Sequence, residues 1–328
     1  MLVLVTGGSG FLGSYIAEEL VKAGHHVRAL VRKSSNRQFL ETLRNIEFAE
    51  GSIEDRASVF RAVEGVDAII HSAGLIKAKT PEEFRLINVE GTRNLLDAAI
   101  EKVPNLKRFV FISSLTAIGP SLDGTPLSVD ATPNPVTHYG RSKLEAERLV
   151  LSRKDKLPVV SIRPPLVYGP RDNETFAFFQ SVSRGVLPFF GDGQNTLSMI
   201  YGADAARACV KALTADIPSG RAYFIDDGNV YVWKDALEQL ESVLGKRALL
   251  RIGLPLKVVS AAAIASEIYG KLSKKAVMLT RDKINELKQP HWVCDSSATR
   301  SDLDWTPEVM WREGVGNAAT WYRAQGWL

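Results

Sequence analysis

Apolar residues along the chain fall into short runs separated by segments of helical period. Residues 2–5 (LVLV) form a continuous apolar run of strand formers, as expected for a strand buried on both faces. Phe11, Leu12, Ile16, Leu20 and Val21 then recur at helical spacing, which predicts a helix over 11–21. A turn at Ala23 and Gly24 leads to a second strand, His26–Val31. Further strands are predicted at Ile46–Glu50, from residue 68, at 109–114 and at Val159–Arg163, the last stopped by Pro164 and Pro165. One intervening helix begins near Asn88 and another runs from Tyr139 through Leu149. Strands alternating with helices predict an α/β fold built on a doubly wound parallel sheet, with crossovers of one hand.

Beyond Gly169 the alternation loosens. Phe176, Phe178, Phe179, Phe189 and Phe190 cluster near the expected mouth of the sheet, most of them as core and the remainder as candidate lining of an apolar pocket. A helix over 201–213 should pack back on the first lobe, and 221–226 reads as a late strand of its sheet. From Tyr231 the chain is expected to be mostly helical. The division is therefore 1–170 with 195–228 as a nucleotide-binding domain, and 171–194 with 229–328 as a smaller, mostly helical C-terminal lobe for substrate. The 119–135 segment, a loop with Pro and Ser, is expected at the site rim. Leu256, Val259, Ala263, Ile264, Ile268 and Leu272 approximate one helix face, with Lys257, Glu267, Lys271, Lys274 and Lys275 along or after it. This stretch is either a lobe helix with a solvated face or a contact for a membrane surface or lipid.

Length and composition bound the function. At 328 residues, 45% hydrophobic and 24% charged, the chain can bury a sizeable core and suits two lobes. Its net charge of +4 is scattered among acids, which argues against a nucleic-acid partner. Cys209 and Cys294 are too few and too distant for a disulfide framework, the histidines lack metal-ligand spacing, and no apolar run is long enough to span a bilayer. Met1 leads straight into strand and glycine without a basic lead or cleavage site, so no signal peptide is expected and the location is read as cytoplasmic. Oligomeric state is left open, with a homodimer as candidate.

The chemistry starts at TGGSGFLG, residues 6–13, where three glycines sit between strand and helix. Gly7 permits a tight turn, Gly10 lets a pyrophosphate approach the backbone, and Gly13 lets helix and strand pack closely. The open N–H groups of the helix start then face the anion. An NAD-preferring site would end the second strand in Asp or Glu to hold the ribose hydroxyls. Here that strand ends Val31-Arg32-Lys33, and Arg32 can instead grip a 2′-phosphate. NADP(H) is the expected cofactor, with NAD(H) as the alternative. Tyr139 and Lys143, four apart, share a helix face, and a nearby ammonium is expected to lower the phenol pKa for proton transfer at an alcohol oxygen. Ser114, at a strand end, is placed to hold the carbonyl oxygen.

On these motifs, together with HSAG at 71–74, NVEGT at 88–92, Ser113-Ser114 and RPPLVYGP at 163–170, the chain resembles the extended short-chain dehydrogenases/reductases, or NAD-dependent epimerase/dehydratase family, over nearly its whole length. The resemblance implies a Rossmann domain with Tyr139 as acid/base, Lys143 on the nicotinamide ribose and Ser114 on the reacting oxygen. Phe11, Leu12, Ser72, Ala73, Gly74 and Pro164 would join the glycines at the cofactor. Ser52-Ile53 stands where the family commonly has Asp and an apolar residue beside adenine, so the Ser52 contact departs from the pattern. Thr116, Leu166 and Phe176 are candidate substrate contacts.

Two branches of the family compete. Nucleotide-sugar epimerases and dehydratases must hold a diphosphate, yet the polar anchors of the UDP-galactose 4-epimerase pattern are replaced here by Leu166, Leu197 and Ser301. The second strand resembles that of dihydroflavonol 4-reductase, and residues 254–270 resemble the 3β-hydroxysteroid dehydrogenase-like branch. The favoured reading is a reductase or dehydrogenase of a ketone or secondary alcohol on a mostly apolar skeleton. A non-catalytic NADP-sensing protein is a third reading, opposed by the complete Ser, Tyr and Lys set.

Overall fold

The computed structural model describes the chain except for Lys274 and the side chain of Phe190, so the expectations for those two lie outside the described residues. Seven parallel strands form the central sheet, in the spatial order Ile46–Glu50, His26–Val31, Leu2–Thr6, Ala68–His71, Arg108–Ile112, Val159–Arg163, Arg221–Phe224. The central strands are mostly apolar because both faces are covered, with Thr6, His71, Arg108, Ser161 and Arg163 as buried polar exceptions. Val3, Leu4 and Val5 have no exposed surface, while in the edge strand Ile46–Glu50 the side chains of Glu47, Phe48 and Glu50 are exposed.

On one face the Phe11–Lys22 and Gly202–Thr214 helices pack together over Val3, Val5, Val110 and Ile162. The small side chains Ala205, Ala208 and Ala212 let these two helices approach closely. On the other face Arg56–Ala62, Gly91–Lys102 and His138–Leu151 cover Leu4, Ile69, Phe109 and Phe111. Strand order reverses between Leu2–Thr6 and Ala68–His71, which opens a crevice at the carboxyl ends of these strands.

The helix expected from Asn88 begins earlier. A Pro81–Phe84 turn, capped by the Thr80 side chain, passes through a π-helical stretch, Arg85–Glu90, into Gly91–Lys102. Nothing in the apolar spacing announces this extra turn, whose residues are largely exposed.

The second lobe is less purely helical than expected. Trp233–Leu244 and Trp311–Ala324 pack around Tyr168, Trp311 and Tyr322. Three small sheets accompany them, including Val186–Phe190 paired with Leu250–Leu254 and Thr196–Leu197 between Tyr231–Val232 and His291–Trp292. These strands are two to five residues long, too short for an alternating pattern to stand out. Leu256–Ser273 and Arg281–Leu287 form a helix pair beside the crevice. No helix among the described residues is long and apolar enough to cross a membrane.

Candidate active site

A single cavity of about 1210 Å³ runs from the first glycine turn to the Arg281–Leu287 helix. That exceeds the roughly 300–1,000 Å³ of a typical single-ligand pocket, so it has room for two bound molecules. At one end Gly7 takes a left-handed φ of 74°, and a Cβ there would stand 2.6 Å from the Ala73 nitrogen. A Cβ on Gly13 would overlap the Gly7 carbonyl oxygen. Helix Phe11–Lys22 starts at Gly10 with no side-chain cap and no acid in its first turn. Its free N–H groups and positive dipole end therefore open on the cavity without a competing anion. This bare cradle fits the pyrophosphate of a dinucleotide. Phe11, Leu12, Ser72, Ala73, Gly74 and Pro164 all reach the cavity wall.

At the end of His26–Val31, Arg32 and Ser35 line the cavity, and the Arg32 N–H donates to Ser35 Oγ at 3.1 Å. Lys33, named with Arg32 as a candidate cofactor contact, is exposed and does not reach the wall, because adjacent residues leaving a strand end point in different directions. Ser52 and Ile53 do line it. Ser52 Oγ donates to Glu54 Oε2 at 3.0 Å, and Ile53 is wedged against Gly91.

Ser114, Thr116, Tyr139 and Lys143 stand together deeper in the cavity. Ser114 caps the short Leu115–Ile118 helix, accepting from the Thr116 N–H at 3.2 Å and from Thr116 Oγ1 at 2.8 Å. The His138–Leu151 helix, capped by Thr137, carries Tyr139 and Lys143 on one face. Lys143 is buried, donates to the Ile112 carbonyl at 2.6 Å, and lies 4.3 Å from the Phe111 ring centre. Burial pushes its ammonium down to about 7, against the pull of Glu147.

The expectation that Lys143 lowers the Tyr139 pKa is not what this arrangement gives. Burial pushes the phenol up to about 12, opposed by hydrogen bonding to Ser114, while Glu286 adds to the rise. Desolvation wins because Lys143 is itself desolvated, and its Nζ is occupied by a backbone carbonyl.

Several positioning groups were not singled out from sequence. Glu147, one turn beyond Lys143, is held by Arg163 at 2.8 Å and by Ser161 Oγ at 2.8 Å. Asn88 accepts from the Leu75 N–H at 2.7 Å and donates to Ser142 Oγ at 2.9 Å, tying the π-helical stretch to the Tyr139 helix. His71 bridges Thr6 and Thr92 beneath the crevice, and its burial pushes it down to about 3, so it stays neutral. The K-x-x-x-E spacing from Lys143 to Glu147 puts the two on one helix face and was available as a signal; the Asn88 link depends on the π turn and was not.

The far end of the cavity is lined by Leu166, Leu197, Phe178, Trp233, Met278 and Leu279. Phe176, expected as a substrate contact, does not line it: its ring packs 4.8 Å from Tyr322 and 5.3 Å from Trp327. Phe178, two residues on, faces the cavity instead. Arg207, Arg251 and Arg300 are paired with Asp204, Glu241 and Asp226, away from the lining. Among the described residues lining this end the cation is Lys283, paired with Glu286 and accompanied by the uncharged Asn195, Ser198 and Gln289.

Residues 3–226 match the profile of the NAD dependent epimerase/dehydratase family. Over 331 residues the chain is 30% identical to the ceramide reductase of Caulobacter vibrioides, covering 100% of this chain and 96% of that one. It is 30% identical over 331 residues to the 2-alkyl-3-oxoalkanoate reductase of Stenotrophomonas maltophilia, covering 96% and 97%. The UDP-glucose 4-epimerase of Vibrio cholerae is 27% identical over 329 residues, covering 97% and 94%. The crystal structure of gox2253 superposes with a TM-score of 0.82 at 27% identity, over 100% of this chain and 99% of that one.

Proposed function

The chain belongs to the NAD-dependent epimerase/dehydratase family, and from that premise we propose that it is an NADP(H)-dependent reductase of a ketone on a mostly apolar, alkyl-bearing molecule. The observation that carries this reading is the far end of the cavity, where Leu166, Leu197, Phe178, Trp233, Met278 and Leu279 outweigh the uncharged polar Asn195, Ser198 and Gln289, and where Lys283 is already paired with Glu286. A nucleotide sugar would bring two phosphate charges there, and burying them without free cations is strongly unfavourable. An alkyl skeleton instead gains roughly 25 cal/mol for each Å² removed from water. The ceramide and 2-alkyl-3-oxoalkanoate in the names of two relatives are both alkyl-bearing.

The residues present fit the cofactor. The cradle from Gly7 to Gly13 would hold the pyrophosphate, Arg32 and Ser35 the 2′-phosphate, and Lys143 the nicotinamide ribose. When bound, the nicotinamide supplies the hydride that reduces the carbonyl carbon. Ser114 donates a hydrogen bond to the carbonyl oxygen, and Thr116, donating to Ser114, sets the direction of that hydroxyl. Tyr139 gives its phenolic proton to the same oxygen as charge develops on it, forming the alcohol. The phenol, pushed up to about 12, is protonated at neutral pH and so carries the proton that the developing alkoxide takes. Lys143, poised near 7, can place positive charge beside the phenolate left behind. The apolar walls exclude water from this exchange.

Epimerisation of a nucleotide sugar by the same Tyr, Lys and Ser is the competing reading. Oxidation of NADPH and NADH is followed with 2-alkyl-3-oxoalkanoates, with 3-oxo lipids and with UDP- and dTDP-glucose, alongside calorimetry with the nucleotide sugars. We expect turnover with an alkyl ketone, faster with NADPH, and no nucleotide-sugar binding. Micromolar binding of UDP-glucose or dTDP-glucose would replace the reductase reading with the epimerase one.

A further inference from the structure

The Leu256–Ser273 helix is apolar on both its sides. Inward, Val259 and Ala263 pack against Ile284, Leu254, Leu279 and Leu287. Outward, Val258, Ile264, Ile268, Tyr269 and Leu272 are 55%, 46%, 55%, 61% and 80% exposed, with exposed Ala261, Ala262 and Ala265 among them. At 3.6 residues per turn these eight positions fill one continuous arc. A helix apolar all round is ordinarily buried, and large apolar side chains gathered on one face differ from the scattered ones of an ordinary surface.

Charge on and just after this helix has one sign on its exposed side. Lys257, Lys271 and Lys275 are exposed, while the helix's one acid, Glu267, is turned to Arg281, accepting from its Nε at 2.9 Å and its N–H at 2.7 Å. The next helix presents Lys283, Glu286 and Leu287 to the cavity, joined by Met278 and Leu279 from the connection. One helix pair thus forms a cavity wall on its inner side and an uncovered apolar face on its outer side.

We propose that this outer face docks the protein on an anionic lipid bilayer, with the Leu256–Ser273 helix lying in the interface. Ile264, Ile268, Tyr269 and Leu272 enter the boundary between headgroups and acyl chains, and the three lysines meet lipid phosphates. The helix does not span the bilayer. A second copy of the chain suits the face less well, because a two-fold contact would bring the same uncompensated lysines together. The inference is independent of the reductase reading, since it concerns the outer face and needs neither cofactor nor turnover.

Co-sedimentation of the full chain with phosphatidylcholine vesicles, with and without a quarter of phosphatidylglycerol, tests it. Binding is expected with the anionic vesicles, weakened at high salt, and about tenfold weaker in I268E/L272E and in K257E/K271E. All four side chains are exposed, so the variants should keep the wild-type circular dichroism spectrum. Failure to bind anionic vesicles would overturn the proposal, as would binding unchanged in I268E/L272E. So would a dimer in sedimentation that I268E/L272E dissociates without any vesicle binding, which would assign the face to a second copy.

Discussion

Arg163 grips Glu147 with Nη2 at 2.8 Å and Nε at 3.1 to 3.2 Å from its carboxylate oxygens, both side chains buried, one helical turn behind Lys143. The guanidinium and the Ser161 hydroxyl hold the carboxyl below its ordinary range despite burial. The strand that carries Arg163 is thereby locked to the helix that carries Tyr139 and Lys143, and the negative charge that opposes the desolvation of Lys143 is fixed in place.

Glu147→Gln should therefore do two things. It leaves a buried guanidinium without its partner, which costs about 3 kcal/mol or more in urea unfolding. It also removes the pull on Lys143, whose pKa falls further, so the pH dependence of kcat shifts. Changing both partners, as in Glu147→Gln with Arg163→Met, should be less destabilising than the single change. Equal stability of wild type and Glu147→Gln would show that the pair is dispensable.

Tyr139→Phe should lower kcat by about 10²–10⁴-fold, the usual weight of a general acid. One oxygen is lost and the cavity keeps its shape, so fluorescence titration should give nearly the wild-type Kd for NADPH. A Phe variant that keeps most of its turnover would remove Tyr139 from the proton transfer.

Lys143 makes stability depend on pH in the absence of cofactor. Its folded pKa of about 7 lies below the ordinary 10.5, so between these values the unfolded chain binds the extra proton. Stability from this residue rises as pH increases from about 7 toward 10.5. Denaturant unfolding of wild type and Lys143→Met across that range should diverge, the wild type gaining relative to the variant as pH rises. Parallel profiles would place the lysine in a far more polar setting than its burial indicates.

Arg32→Asp should raise the KM for NADPH about tenfold or more, from the loss of a charged hydrogen bond worth roughly 1.5–3 kcal/mol. The KM for NADH should change little or fall, since a carboxylate can accept from ribose hydroxyls. Equal losses with both cofactors would show that Arg32 does not read the 2′-phosphate.

Local features of the chain were decided by the sequence. Short runs of strand formers such as 2–5, ending at a glycine turn, suit strands inside a parallel sheet, and His26–Val31, Ile46–Glu50 and Val159–Arg163 form at the expected residues. Helix geometry alone puts Tyr139 and Lys143 on one face, and a glycine at position 10 leaves the helix start without a side-chain cap. Tertiary structure decided whatever depends on what surrounds a group. Burial raised the Tyr139 phenol where spacing had suggested a depressed one, because desolvation is set by residues far apart in the chain. The rings of Tyr322 and Trp327 drew Phe176 into the core and left Phe178 to the cavity. Asp204, Glu241 and Asp226 hold Arg207, Arg251 and Arg300 in ion pairs away from the cavity lining, which spacing along the chain does not show. Periodicity in 256–273 marked the apolar positions, but only packing against Ile284 chose Val259 and Ala263 as the inner ones and left Ile264, Ile268 and Leu272 facing out.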